Sequence, residues 1–153
     1  MSGHSFSHSL AKQVATLGLV GYLPAPGTWG SAVGAALLLL LRVPDSLLLL
    51  CVAGGFIAGV VVSGVSEEAI GEKDSGHIII DEVVGMAVSV LFLPQTAWYI
   101  APAFVLFRVL DIFKPFPIRQ IESRLKGGLG IMTDDLLAGI GANLVLQAWK
   151  TIF

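Results

Sequence analysis

LLLLCVAGGFIAGVVVSGV, residues 47–65, runs for nineteen positions without a charged side chain. A helix needs about 20 mostly apolar residues to cross the hydrocarbon of a bilayer. This stretch therefore reads as a crossing helix. Gly54, Gly55, Ala58 and Gly59 give it small-xxx-small spacing, which suits close packing against another helix in lipid. Working outward, four more apolar stretches follow the same composition: 31–41, 83–93 (preceded by Ile78-Ile79-Ile80), 97–113 and 136–153. Leu, Ala and Gly dominate them, which favours helices over barrel strands. Most are short. A helix over 78–93 reaches only about 24 Å at 1.5 Å per residue. It crosses only by tilting, by thinning the bilayer, or by drawing its polar end inward. The expected fold is all-α: a compact integral membrane bundle with short or re-entrant transmembrane helices. It forms one domain over 1–153, with 1–16 as a polar tail leading into an interfacial helix near 10–19.

Composition agrees. Mean hydropathy is +0.84, with 55% hydrophobic and 13% charged residues. A soluble domain carries roughly 25% charged residues, so this chain lacks the polar shell that water requires. The net charge of -2 gives no basic field for nucleic acid. A single cysteine, Cys51, excludes an internal disulfide and any cysteine metal cluster. Lys12 and the apolar residues 14–23 faintly imitate a signal peptide. Pro24 and Pro26 follow without an A-x-A site, so the N-terminus is expected to be retained.

The connections carry the main inference. Residues 42–46 and 94–96 are tight turns nearly empty of functional groups, whereas 24–31, 67–82 and 114–135 are long and polar. If each tight turn closes an antiparallel hairpin, all the long polar ends lie on one face. Lys114, Arg119, Arg124 and Lys126 against Glu122 give that face an excess of about three positive charges, which favours the cytoplasmic side.

Four polar clusters meet there. Gly27, Thr28 and Ser31 open a helix and offer N–H and hydroxyl donors to an anion, or ordinary capping. Asp81 and Glu82 lead straight into an apolar segment, where charge is costly and marks function. Their hard oxygens suit Mg²⁺, an ion that engages phosphate. His77 is a candidate base but is equally an ordinary surface histidine. Arg108, Asp111 and Lys114 stand three apart on one helix face that Pro115 ends. Gly127-Gly128-Leu129-Gly130 allow a tight backbone and close ligand approach, and Thr133 can cap the last helix, with Asp134 and Asp135 in its first turn as ordinary acidic residues or as ligands. About 100° separates the two aspartates around a helix, so they cannot face one ion identically. Five carboxylates and three or four cations on one face of a charge-poor chain form a set for metal-assisted phosphoryl chemistry on a lipid. No Cys-x5-Arg loop, D-x-D-x-T nucleophile or G-x4-G-K-[ST] loop is present, and only His77 lies outside the N-terminal tail as a histidine.

LPAPGTWGS (23–31), IIIDEVVGM (78–86), FRVLDIFKPFPIR (107–119) and GGLGIMTDDLLAG (127–139) resemble the phosphatidylglycerophosphatase A family of bacterial membrane enzymes, over about 17–149. The resemblance implies Mg²⁺-dependent hydrolysis of phosphatidylglycerol phosphate to phosphatidylglycerol and phosphate, at the cytoplasmic face of the bacterial inner membrane by a multi-pass protein. It lends weight to Asp81, Glu82, Arg108, Asp111, Lys114, Asp134 and Asp135, and to Gly27, Thr28 and Ser31, but not to His77. The working expectation gives the metal to Glu82, Asp134 and Asp135 with Asp81 and Asp111 beside them, and the phosphoryl oxygens to Arg108, Lys114 and Arg119. A small transporter needs polar groups in mid-membrane, and a lipid-binding scaffold needs the cations without the carboxylates.

Overall fold

The computed structural model describes residues 2–72 and 75–152, with side chains described from His8 onward. These residues form seven α-helices and no strand: α1 (Ser2–Ala15), α2 (Pro26–Leu41), α3 (Asp45–Ile70), α4 (Ile80–Ser89), α5 (Ala97–Phe113), α6 (Ile118–Glu122) and α7 (Gly127–Ile152), with a 3₁₀ turn at Val20–Tyr22. The helix limits follow local chemistry. Pro26 starts α2, where its missing N–H costs nothing. Gly71 ends α3 in the left-handed conformation, φ 74°. Pro115 ends α5 one residue after its cap, Lys114.

α2 and α3 form one hairpin, and α4 and α5 another. Gln95 Nε2 donates to the Val43 carbonyl at 2.5 Å, which ties the two tight turns together at one end of the bundle. The start of α2, the end of α3, the start of α4 and the end of α5 therefore share the other end, as the hairpin argument requires. α7 begins at that polar end and runs the full depth of the bundle.

α3 and α7 are each 26 residues long and apolar enough to cross a membrane. The outer surface is apolar as well: Leu40, Ile57, Trp98 and Phe113 are each more than two-thirds exposed. That surface has no place in water, and the chain is a membrane protein.

Segment 78–93 differs from its expected form. It is not one crossing helix. α4 has only ten residues, about 15 Å, and turns follow it at 90–93. Its Val84, Gly85, Met86, Val88 and Ser89 are buried, because α2, α3, α5 and α7 all pack on it. A helix wrapped by protein needs no bilayer-spanning length. Its terminal carbonyls still need partners, since lipid offers none. α7 supplies them: Asn143 Nδ2 donates to Leu91 O at 2.8 Å and Ser89 O at 3.3 Å, and Gln147 Nε2 donates to Leu91 O at 3.2 Å.

The glycine run 127–130 is likewise helical, not a loop. Thr133 caps nothing; its hydroxyl bonds back to Leu129 O at 2.6 Å inside α7. The glycines serve close approach. A Cβ on Gly128 would collide with the Val60 carbonyl oxygen and stand 2.7 Å from Gly64 N. Of the small residues in α3, Gly59 receives Met132 and Gly55 receives Val84, whereas Gly54 faces open space. The tightest approach of α7 to α3 therefore falls at Val60 and Gly64, directly after the small-residue motif.

Candidate carboxylate and cation site

Four helices bring the chemistry together. Asp81 and Glu82 occupy the first turn of α4, Arg108 and Asp111 the last turns of α5, and Asp134 and Asp135 the junction of the second and third turns of α7. α2 contributes its start: a Cβ on Gly27 would collide with Glu82 Oε1 and lie 3.0 Å from Arg108 Nη2. Gly27 is thus the glycine that lets α2 approach both. Ser31 is buried and its hydroxyl is committed to the Gly27 carbonyl at 2.8 Å. Thr28 is exposed at the same helix start.

The acidic groups fall into two triplets. Asp81, Glu82 and Asp135 each offer an oxygen within 4.8 Å of the others, and so do Asp111, Asp134 and Asp135. Asp135 belongs to both. Glu82 therefore meets the aspartate pair of α7 through Asp135. The helical divergence of Asp134 and Asp135 explains the split: the first turns toward α5 and α6, the second inward between α4 and α5.

The cations are distributed unevenly. Arg108 Nη1 donates to Asp111 Oδ2 at 2.6 Å. Lys114 Nζ donates to Asp134 Oδ2 at 2.5 Å and to Glu122 Oε1 at 2.6 Å. Lys114 holds φ 44°, a left-handed cap that usually falls to glycine. That conformation costs about 1 kcal/mol and turns the ammonium back over the site. Partial burial opposes its charge, but its hydrogen bonds to Asp134 and Glu122 outweigh this and hold the Lys114 pKa above the ordinary lysine value.

The other triplet has no such partner. Asp81 Oδ1, Glu82 Oε2 and Asp135 Oδ2 are buried without a hydrogen bond, as is Arg108 Nε. Buried carboxylate oxygens left unpaired are costly. The same three residues each offer a carboxylate oxygen within 4.8 Å of the others, an arrangement that fits one hard cation. Oxygens at 2.0–2.1 Å around Mg²⁺ lie about 3 to 4 Å apart, within the spacing found here.

His77 stands outside this cluster. Its Nδ1–H donates to Gly21 O at 2.8 Å and its ring stacks on Tyr22 at 4.6 Å. It docks the N-terminal segment, together with the Ile79 N–H on Ala15 O at 2.9 Å. Arg119 is exposed on α6 and borders a separate cleft beside Asp134. Glu122, absent from the sequence expectations as a site residue, joins the site through Lys114; its place in a short charged stretch gave no signal of that.

Fold and site together define an all-helical membrane protein whose buried carboxylates and cations are arranged for phosphate chemistry. A sequence model described as phosphatidylglycerophosphatase A matches residues 13–150. A phosphatidylglycerophosphatase A from Haemophilus influenzae is 41% identical over 82% of this chain and 78% of its own length. One from Escherichia coli is 38% identical over 75% of this chain and 68% of its own. A Bacteroides thetaiotaomicron protein, 36% identical over 86% of this chain and 88% of its own, carries the provisional description phosphatidylinositol-3-phosphatase. No solved structure matches. The chain belongs to the phosphatidylglycerophosphatase A family and is a phosphatase.

Proposed function

We propose that this protein hydrolyses phosphatidylglycerol phosphate to phosphatidylglycerol and inorganic phosphate, with Mg²⁺, at the cytoplasmic face of a bacterial inner membrane that it crosses more than once. The observation that carries this reading is the convergence of Asp81, Glu82 and Asp135 beside Arg108: each offers a carboxylate oxygen within 4.8 Å of the others and each keeps one buried oxygen without a hydrogen bond. Asp81, Glu82 and Asp135 would hold the ion. A bound Mg²⁺ supplies positive charge to the phosphoryl oxygens and lowers the pKa of water. In the reaction a water oxygen forms a bond to phosphorus, the bond from phosphorus to the glycerol oxygen breaks, and that oxygen takes a proton.

The chain's own groups divide the remaining work. Arg108 keeps an unpaired Nε donor for a phosphoryl oxygen while its Nη1 stays on Asp111. Lys114 adds a fixed positive charge at the rim. Asp134 is already engaged on both oxygens, with Oδ2 on Lys114 and Oδ1 on the Asp135 N–H at 3.0 Å. It therefore positions Lys114 more than it holds metal, a different division from the sequence expectation. Gly27, by lacking a Cβ, lets the start of α2 close on Glu82 and Arg108.

The test is phosphate release from phosphatidylglycerol phosphate by the full chain in nonionic detergent. Release with Mg²⁺ that stops on chelation and returns on adding Mg²⁺ is expected. Release unaffected by exhaustive chelation would remove the metal from the reading, and no release under any divalent ion would remove the substrate. Phosphatidylinositol 3-phosphate in the same assay separates the two lipids that the relatives' descriptions raise.

A further inference from the structure

Outside the carboxylate cluster, the polar end carries a cleft of about 300 Å³. Arg119 of α6 and Lys126, just before α7, line it together with Glu67, Glu122, Gly130 and Asp134. Asp134 is the wall this cleft shares with the carboxylate site. The neighbouring charges are not equal in their commitments. Glu122 and Asp134 are held by Lys114. Glu67 borders the start of α7, where its Oε2 would lie 3.6 Å from a Cβ on Gly127. Among the described residues, Arg119 and Lys126 make no ion pair, while Arg108 and Lys114 do.

Resting on the proposed function, we infer that this cleft binds the second phosphate of the substrate, the phosphodiester that joins glycerol to the diacylglycerol. Such a lipid carries two phosphates separated by a three-carbon spacer. The terminal phosphomonoester is the reacting group and belongs among the carboxylates, Arg108 and Lys114. The phosphodiester bears one negative charge and must lie close by, yet apart from the acidic cluster. A cleft that borders that cluster at Asp134, whose Glu122 and Asp134 charges are already held by Lys114, and that offers two cations without ion pairs meets both conditions. Arg119 suits it particularly, since a planar guanidinium can give two parallel hydrogen bonds to the two free oxygens of a phosphodiester. This moves Arg119 from the reacting phosphate to the non-reacting one and makes it a determinant of which lipids are accepted.

An interaction made equally with substrate and transition state changes KM and leaves kcat in place. The experiment compares R119Q, K126Q and R119K with the wild-type full chain in nonionic micelles with Mg²⁺. Two lipids are used: phosphatidylglycerol phosphate, and phosphatidate, which has a phosphomonoester but no phosphodiester, as substrate or as competitor. For phosphatidylglycerol phosphate, KM should rise about tenfold in R119Q and several-fold in K126Q, with kcat within about twofold and partial recovery in R119K. The KM or inhibition constant for phosphatidate should move less than about twofold. Added phosphatidylglycerol, which carries the same phosphodiester, should inhibit the wild type and inhibit R119Q more weakly. A loss in kcat at unchanged KM would return Arg119 to the reacting phosphate. Equal weakening toward both lipids would reduce the pair to general membrane adsorption, and no change would empty the cleft of a role; each of these overturns the inference. A wild type that releases no phosphate from phosphatidylglycerol phosphate would instead defeat the proposed function itself.

Discussion

The two carboxylate triplets share Asp135 and differ in almost everything else. Around Asp111 and Asp134, each negative charge has a cation within hydrogen-bond distance, Arg108 or Lys114. Around Asp81 and Glu82, oxygens are buried with nothing to bond. A carboxylate that already has its counter-charge inside the protein is a positioning device. One that lacks it is, on the proposed function, the place where a cation from outside would bind. Counting acidic residues would make the triplets equivalent, whereas their partners make them unlike.

The comparison is broken most severely at its shared member. Asp135→Asn should lower kcat by at least about 10³-fold and abolish saturable Mg²⁺ activation, read from initial rates across a Mg²⁺ titration. Next come the members of one triplet alone. Glu82→Gln should cost about 10²-fold or more and move the Mg²⁺ midpoint upward at least about tenfold. Asp134→Asn or Asp111→Asn should cost about 10- to 100-fold, as expected for a group that orients another, with the midpoint within about threefold of wild type. Equal midpoint shifts on the two sides would erase the distinction. A packing test sharpens it. Gly128→Ala presses α7 away from α3 and carries Asp134 and Asp135 with it; a loss of about 1–3 kcal/mol in detergent stability is expected, together with reduced activity. Gly54→Ala, in open space, should stay within about 1 kcal/mol. The smallest effect belongs to His77→Ala, which should weaken docking of the N-terminal segment by about 1 kcal/mol and leave kcat within about twofold. A large kcat loss there would restore a histidine base to the mechanism.

The hairpin arrangement was legible because turns 42–46 and 94–96 lack functional groups while the opposite ends are crowded with them. A period-based reading also recognised Arg108, Asp111 and Lys114 as one face, and two of these pair directly. The division between the triplets was half visible: the 100° step separating Asp134 from Asp135 predicts divergence but not the partners found. Three features were hidden because they depend on tertiary contact. Gly127-Gly128-Leu129-Gly130 has the composition of a loop, and only the nearness of Val60 and Gly64 makes it helix. Asn143 and Gln147 look like incidental polar residues of a crossing helix until the open carbonyls after α4 are seen. Arg119 shares its stretch with Lys114, yet Lys114 is held by Asp134 and Glu122 while Arg119, on α6, makes no ion pair among the described residues and lines the neighbouring cleft.

The brevity of α4 bears on how such an enzyme obtains its substrate. Ten residues cover roughly half of a 30 Å hydrocarbon layer, and the helix carries Asp81 and Glu82 at its outer end. Pulling a two-chain lipid into water costs about 0.8 kcal/mol for every methylene exposed, a sum no small binding site could recover. On the proposed function, which seats this acidic end at the headgroups, a lipid substrate would keep both tails in the leaflet and arrive by sideways diffusion. Supply is then governed by the lipid's mole fraction in the surrounding leaflet, not by its concentration in water.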